Sequence, residues 1–367
     1  MSGVDASIAL PFLGFVAGIV LGYVARANRF CTMAALEQHW YGSDSTGLRT
    51  WVLAGSVALA ATQALIHFGL IDISSSFYLS SQFGLTGAIM GGVMFGFGMA
   101  LVGMCGFTAV VRLGGGNLRA LVVLLVLGLA ALSAQRGLTG QLRIRIVDNL
   151  AIDLSAAGDQ SIGSLVSYAS GMDLRWAAAI VLVAAALAWV FADAGYRSKR
   201  GQIIAGCAVG CVIAFGWLVT TWAAKHSFSP VQLEAGSFVV PVGDAIMQIV
   251  TYTGTIPDYG VGLVFGTLAG GALAAWRRKE VRWEACDDGR ELSRHLLGAA
   301  LMGVGGVFAM GCTIGQGVTA VSTMAVSAPV VIASIAIGAR MGLAQLVEGS
   351  VMAAFRRNGG AAHTPAE

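Results

Sequence analysis

Nine apolar segments, each near the length that crosses a bilayer, constrain this chain more than any other feature. They cover 8–25, 51–70, 84–104, 118–135, 176–192, 202–223, 259–276, 296–311 and 329–347. A helix needs ~20 apolar residues to span the hydrocarbon core, and several segments fall just short, which leaves room for tilt or partial insertion. Inside lipid every backbone N–H and C=O must find a partner within the protein, so such runs fold as helices. Charged residues are only 11% of the chain and hydrophobic ones 56%, against ~25% charged in soluble domains. A soluble globule is excluded. The expected fold class is an all-α polytopic membrane protein, a single integral domain over 1–367, with short broken or re-entrant helices beside the spans. The lipid bilayer is its first partner. A net charge of +3 with no basic tail gives no sign of nucleic acid.

Basic residues set orientation, because cytoplasmic loops carry the excess of Lys and Arg. Sixteen fall in the loops of one side and five on the other, with Arg340 inside the last span. Nine crossings then put the N-terminus outside and the C-terminus in the cytoplasm. The first apolar run follows Asp5 with no basic stretch before it, which reads as a retained span rather than a cleaved leader. The stretch Gly87–Arg112 resembles Gly298–Ser322: both are glycine-rich, then carry Met and Cys, then small residues. That pairs a first half at 8–135 with a second at 202–347, leaving 136–192 as connector. The offset is five spans, an odd number, so the halves point in opposite directions. Inverted halves of this kind place a transport site at their interface. The loop 136–175 is expected to hold short helices. The loop 224–258 is expected to include a partly inserted segment matching the one after Cys31, and the tail 358–367 reads as disordered.

Three cysteines occupy matching places, each ending a glycine-rich apolar run and preceding small residues. They are Cys31 in Asn28-Arg29-Phe30-Cys31, Cys105 in Gly103-Met104-Cys105-Gly106 and Cys312 in Met310-Gly311-Cys312-Thr313. If a short helix follows each, each thiol sits near a helix N-terminus, where free N–H groups and the dipole favour an anion. A thiol is itself a weak, soft donor, which suits a sulfur-bearing anion. The plainer reading is that each is a small buried hydrophobe. Cys207 and Cys211 share a helix face at i,i+4, as an extra thiol site or as packing; Cys286, in a charged loop, is incidental.

Arg340 is costly inside a span unless paired or facing water; it compensates a substrate's charge, pairs with Glu348 or snorkels. Arg112 faces the pathway mouth or marks the cytoplasmic edge. His67, His226 and His295 match no metal spacing, and Gly114-Gly115-Gly116 lacks the Gly-Lys-Ser/Thr ending of a phosphate loop. No metal or cofactor is expected. Glu37, six residues after Cys31, reads as a solvated residue facing the cytoplasm, with a proton-linked role as the alternative. Met99, Met104, Met310 and Met324 flank the cysteines, as soft lining or as packing. Gly14, Gly18 and Gly22, and Gly262, Gly266 and Gly270, recur every four residues, the spacing of closely packed helices.

From about Leu13 to Leu346 the chain resembles the YeeE/YedE family of bacterial inner-membrane proteins. The resemblance rests on Asn28–Cys31, on Gly103–Arg119 with Arg112 and Gly116-Asn117, and on Gly311–Gly317, in that order. It implies an hourglass-like shape, uptake of thiosulfate, and passage between neutral thiols, here Cys31, Cys105 and Cys312, by S–H hydrogen bonds without a covalent intermediate. It also implies a small cytoplasmic sulfur-carrier protein as companion, and selenium compounds as alternative cargo. The physical reading agrees, since a thiolate would repel a dianion and invite redox chemistry, while weak binding allows exit. The competing class is an enzyme, a membrane sulfurtransferase or thiol redox protein. Such an enzyme needs a base or resolving cysteine beside an activated thiol, and the sequence offers neither near Cys105 or Cys312. A third class is a scaffolding subunit with packing cysteines.

Overall fold

A computed structural model describes residues 6–146, 151–155, 158–172, 174–227, 230–252, 257–285 and 288–355. Cys286 and the tail 358–367 lie outside the described residues. In chain order the helices are α1 (Ala6–Asn28), α2 (Thr32–Tyr41), α3 (Thr46–His67), α4 (Leu85–Val102), α5 (Gly106–Gly114), α6 (Leu118–Arg136), α7 (Leu138–Ile146), α8 (Ile162–Ser170), α9 (Arg175–Phe191), α10 (Ala194–Arg197), α11 (Arg200–His226), α12 (Val240–Val250), α13 (Tyr259–Arg277), α14 (Gly289–Phe308) and α15 (Ser327–Val347). A π-helical segment, Gly315–Ala320, follows Cys312. The fold is all-α and polytopic. Each of the nine expected spans falls on a helix: α1, α3, α4, α6, α9, α11, α13, α14 or α15. Seven stretches are long and apolar enough to cross a membrane, two of them running through a break, Ile8–Tyr41 and Leu85–Gly114. The 17-residue α9 is shorter, and α14 opens on a charged turn.

Glycine decides which helices meet. A methyl at Gly14, Gly18 or Gly22 of α1 would overlap the backbone oxygens of Tyr259, Leu263 and Thr267 on α13. Gly262, Gly266 and Gly270 return the contact on Pro11, Phe15 and Ile19. Residue numbers rise together along this seam, so α1 and α13 run parallel with backbones touching. The seam between α4 and α15 has the same form, Gly96 on Ile335 and Gly338 on Val93. Gly98 against Gly298 and Gly91 against Gly305 join α4 to α14 in antiparallel sense. Gly206 and Gly210 of α11 lie on Thr50, Leu53 and Ala54 of α3.

Short segments fill the remainder. The two-residue strands β1 (Gln82–Phe83) and β2 (Ile152–Asp153) pair antiparallel. Beyond β2 the connector docks on the turn before α15, where the Ile162 amide donates to Met324 O and the Val326 amide to Gln160 O. The loop 224–258, where a partly inserted segment is expected, holds the short apolar helix α12, which packs on α6 and α13. The triple glycine Gly114-Gly115-Gly116 is a structural turn. Gly116 has φ +95°, and Asn117 caps α6 by accepting from the Ala120 amide at 3.0 Å.

Candidate functional site

The three cysteine segments share one backbone device. Two residues before each cysteine the chain turns left-handed: Arg29 at φ +53°, Gly103 at +75° and Met310 at +54°. A left-handed residue closes a helix by returning amides to its last carbonyls. Phe30 N donates to Ala25 O, Gly103 N to Met99 O and Gly311 N to Gly306 O, each at 2.9 Å. Each cysteine then accepts the first bond of the next helix on its own carbonyl, from Ala35, Ala109 and Gln316 respectively. Helix, break, cysteine, helix is thus built three times. Buried Gln316 locks the third break, donating from Nε2 to the carbonyls of Ala309 (2.9 Å) and Met310 (3.2 Å) and accepting from Ser327. It thereby satisfies carbonyls that the end of α14 leaves open.

The breaks converge. Thr108 Oγ1 lies 3.4 Å from Cys105 Sγ and faces the Cys31 thiol. Cys105 is within electrostatic reach of both Cys31 and Cys312. The Gly315 amide donates to Cys312 Sγ at 3.4 Å, and the amides of Ile314 and Phe238 face the same sulfur. Cys105 and Cys312 are 1% and 0% exposed, while Cys31 is half-buried. Aromatic rings line the group in sequence: Trp51 stacks on Phe30 at 4.5 Å, Phe30 meets Phe107 at 6.4 Å, and Phe107 meets Phe238 at 4.9 Å. The result is a row of three thiols at helix N-termini within an aromatic wall, a soft donor set with amides behind it.

A vestibule of about 750 Å³ opens at Cys31, lined by Arg26, Arg29, Arg112 and Lys199. Arg26 pairs with Glu280 at 3.6 Å and Lys199 with Asp44 at 3.8 Å. Arg29 and Arg112 have no carboxylate partner among the described residues, and Arg112 acts electrostatically on Cys31. A second cavity, about 150 Å³, has Gly306, Val307, Met310 and Gly311 in its lining, directly before Cys312. Glu234, Asp244, Asp258 and Arg143 also line it. Asp258 precedes α13 and Glu280 follows it, so the two mouths lie a helix length apart, ~28 Å at 1.5 Å per residue.

Of the residues singled out from sequence, Cys31, Cys105, Cys312 and Arg112 come together. Arg340 lies elsewhere, its guanidinium over the rings of Trp40 (5.6 Å) and Tyr41 (5.0 Å) at the end of α2. Cys207 packs with Leu53, Val190 and Tyr196, and Cys211 is exposed on the helix exterior. Glu37 is exposed. Met310 lines the narrow mouth, Met99 and Met104 are buried, and Met324 packs with Leu59 and Ala179. His67 sits edge-on to Trp176, His226 stacks on Trp222, and His295 is buried beside Glu291. Sequence reasoning missed two features. Thr108 is a hydroxyl three residues after Cys105, where a helix N-terminus aims side chains back at the cap. The carboxylates Glu234, Asp244 and Asp258 are scattered in sequence and gathered only by α12 and α13.

Comparison with known proteins finds the sulphur transport family over residues 27–341. A protein of Spirochaeta thermophila named thiosulfate transporter TsuA is 24% identical over 324 residues, covering 86% of this chain and 92% of that protein. An Escherichia coli protein of the same name is 24% identical over 323 residues, covering 85% and 87%.

Proposed function

This chain belongs to the sulphur transport family, and we propose that it carries thiosulfate across the bacterial inner membrane into the cytoplasm, along Cys312, Cys105 and Cys31. It is a transport protein rather than an enzyme, and its relatives are named as thiosulfate transporters. The observation that carries the reading is the run of three thiols at successive helix N-termini between two aqueous mouths. Each helix start offers free amides to a negative charge, and each S–H offers a weak, soft donor. Weak sites in series let an ion enter and leave. Passage by neutral thiols needs no covalent bond and no electron transfer.

Direction follows from charge. The wide mouth holds Arg29 and Arg112, and basic residues mark the cytoplasmic side, so the N-terminus is periplasmic and the C-terminus cytoplasmic. The wide mouth is then the exit, and the place where a small sulfur-carrier protein collects the cargo. The paired seams fit inverted halves. α1 with α13 answers α11 with α3, α4 with α15 answers α14 with α6, and α4 with α14 lies across the pseudo-axis. In that scheme α12 answers α2, with Val239 at its start where α2 has Cys31.

The test is growth of a thiosulfate-uptake-deficient bacterium on thiosulfate as sole sulfur source, with this chain supplied. Rescue is expected, and Cys105→Ala is expected to cut uptake to background while the protein still purifies as a folded species. A well-expressed wild-type chain that fails to rescue growth rules thiosulfate out. A persulfide found on Cys105 after turnover would favour group transfer instead.

A further inference from the structure

A dianion bound for Cys312 has to pass the narrow mouth, and that mouth is lined by carboxyl groups. Glu234 comes from the segment before α12, Asp244 from α12 itself and Asp258 from the cap of α13. Two of the three are held by other groups. Asp258 accepts from the Val261 amide at 2.8 Å, as the cap of α13, and Asp244 lies 3.8 Å from Arg136 Nη2 at the end of α6. Glu234 faces the cavity with the Gly260 backbone beside its carboxyl, and has no cation paired with it among the described residues. Beside it the Tyr259 hydroxyl is buried, 1% exposed, with no hydrogen-bond partner among the described residues. The charged and titratable groups facing Glu234 are therefore Asp244, Asp258, Arg136, Arg143, Tyr259 and Tyr78.

We propose that Glu234 is a proton-binding site at the narrow mouth, and that the anion enters only when this carboxyl is neutral. The proposal rests on the thiosulfate reading above and adds a regulator to it. Charged Glu234 puts a negative group in a cavity of about 150 Å³, where an entering anion cannot keep its distance and water is too scarce to screen the repulsion. Neutral Glu234 instead presents an O–H donor to the same anion. Burial in the mouth, with Asp258 and Asp244 close by, pushes the Glu234 carboxyl up to about 8. The gate is open below that pH and closes as external pH rises through it.

The test uses the purified full-length chain in proteoliposomes, with radiolabelled thiosulfate outside, interior pH fixed and membrane potential clamped. Initial uptake is expected to hold steady at acid external pH and to drop about tenfold one pH unit above the transition, following the neutral fraction. Glu234→Gln, a permanently neutral mimic, is expected to remove that drop whatever its absolute rate. Asp258→Asn, which can still cap α13, is expected to move the transition to lower pH. A flat wild-type profile overturns the gate while leaving transport intact. A parallel drop in wild type and Glu234→Gln also overturns it, and assigns the titration to another group. Should Glu234→Gln not fold, the direction of the Asp258→Asn shift decides. Wild type that takes up no thiosulfate at any pH overturns the transport reading, and the gate with it.

Discussion

The wide mouth holds about 750 Å³ and is lined by Arg26, Arg29, Arg112 and Lys199; the narrow one holds about 150 Å³ and is lined by Glu234, Asp244 and Asp258. In the proposed passage an anion is drawn to the first from solution, and in the second it meets these carboxyl groups with Arg143 beside them. The wide mouth reaches a half-buried thiol, Cys31, directly. The narrow one stops at Met310 and Gly311, one residue short of a fully buried Cys312. On the proposed reading, one end holds and releases an ion, and the other decides whether it comes in. The difference resides in a handful of residues: Arg26 and Arg112 in the last turns of α1 and α5 at one end, and Glu234 before α12, Asp244 on α12 and Asp258 at the cap of α13 at the other.

Charge reversal at the wide end is the strongest way to break this contrast. Arg112→Glu puts a carboxylate beside Cys31, and uptake is expected to fall by about tenfold or more, within the range electrostatic steering commands. Equal uptake by the variant, measured at matched expression, would show that the basic lining is only a cytoplasmic margin. Loosening the floor of the narrow end comes next. Gln316→Leu strands the carbonyls of Ala309 and Met310, at about 1–3 kcal/mol for buried groups left unmade, seen as a lower thermal midpoint in detergent. Salt offers a milder probe. Since the Debye length falls from about 8 Å at physiological ionic strength to about 3 Å at 1 M, chloride is expected to weaken anion binding at the wide basic vestibule more than it alters the narrow acidic one, by titration of tracer binding to Cys312→Ala and Cys31→Ala. The smallest effect belongs to a control outside both mouths. Arg340→Gln removes a cation from the Trp40 and Tyr41 rings, about 0.5–1 kcal/mol of stability, with uptake unchanged; a large transport loss would return Arg340 to the pathway.

Much of the frame was legible in the sequence because membrane helices announce themselves by length and apolarity, and the four-residue glycine spacing named the faces that became seams. The cysteines were legible through their shared context, a glycine-rich run followed by small residues. The left-handed turns were not, since two of the three fall on Arg29 and Met310, residues with no preference for positive φ; only Gly103 carried a local signal. Arg112 and Arg340 looked alike as cations near apolar runs, and separating them required knowing that α5 ends at the vestibule while α15 brings residue 340 against the end of α2. Glu234 carried no signal of its own within the loop 224–258. Its meaning comes from Asp244 and Asp258, ten and twenty-four residues later, which α12 and the cap of α13 bring to the same cavity.

The glycine seams between α1 and α13, α4 and α15, and α4 and α14 bring main chains into direct touch along several turns. A wall stitched in this way has no slack for one half to swing against the other, because any such swing would tear several rows of interlocked backbone together. In the proposed passage, what yields is smaller: a ring tilting, a thiol rotating, a carboxyl taking up a proton. The tempo of transport is then that of side-chain hops rather than of rocking bodies.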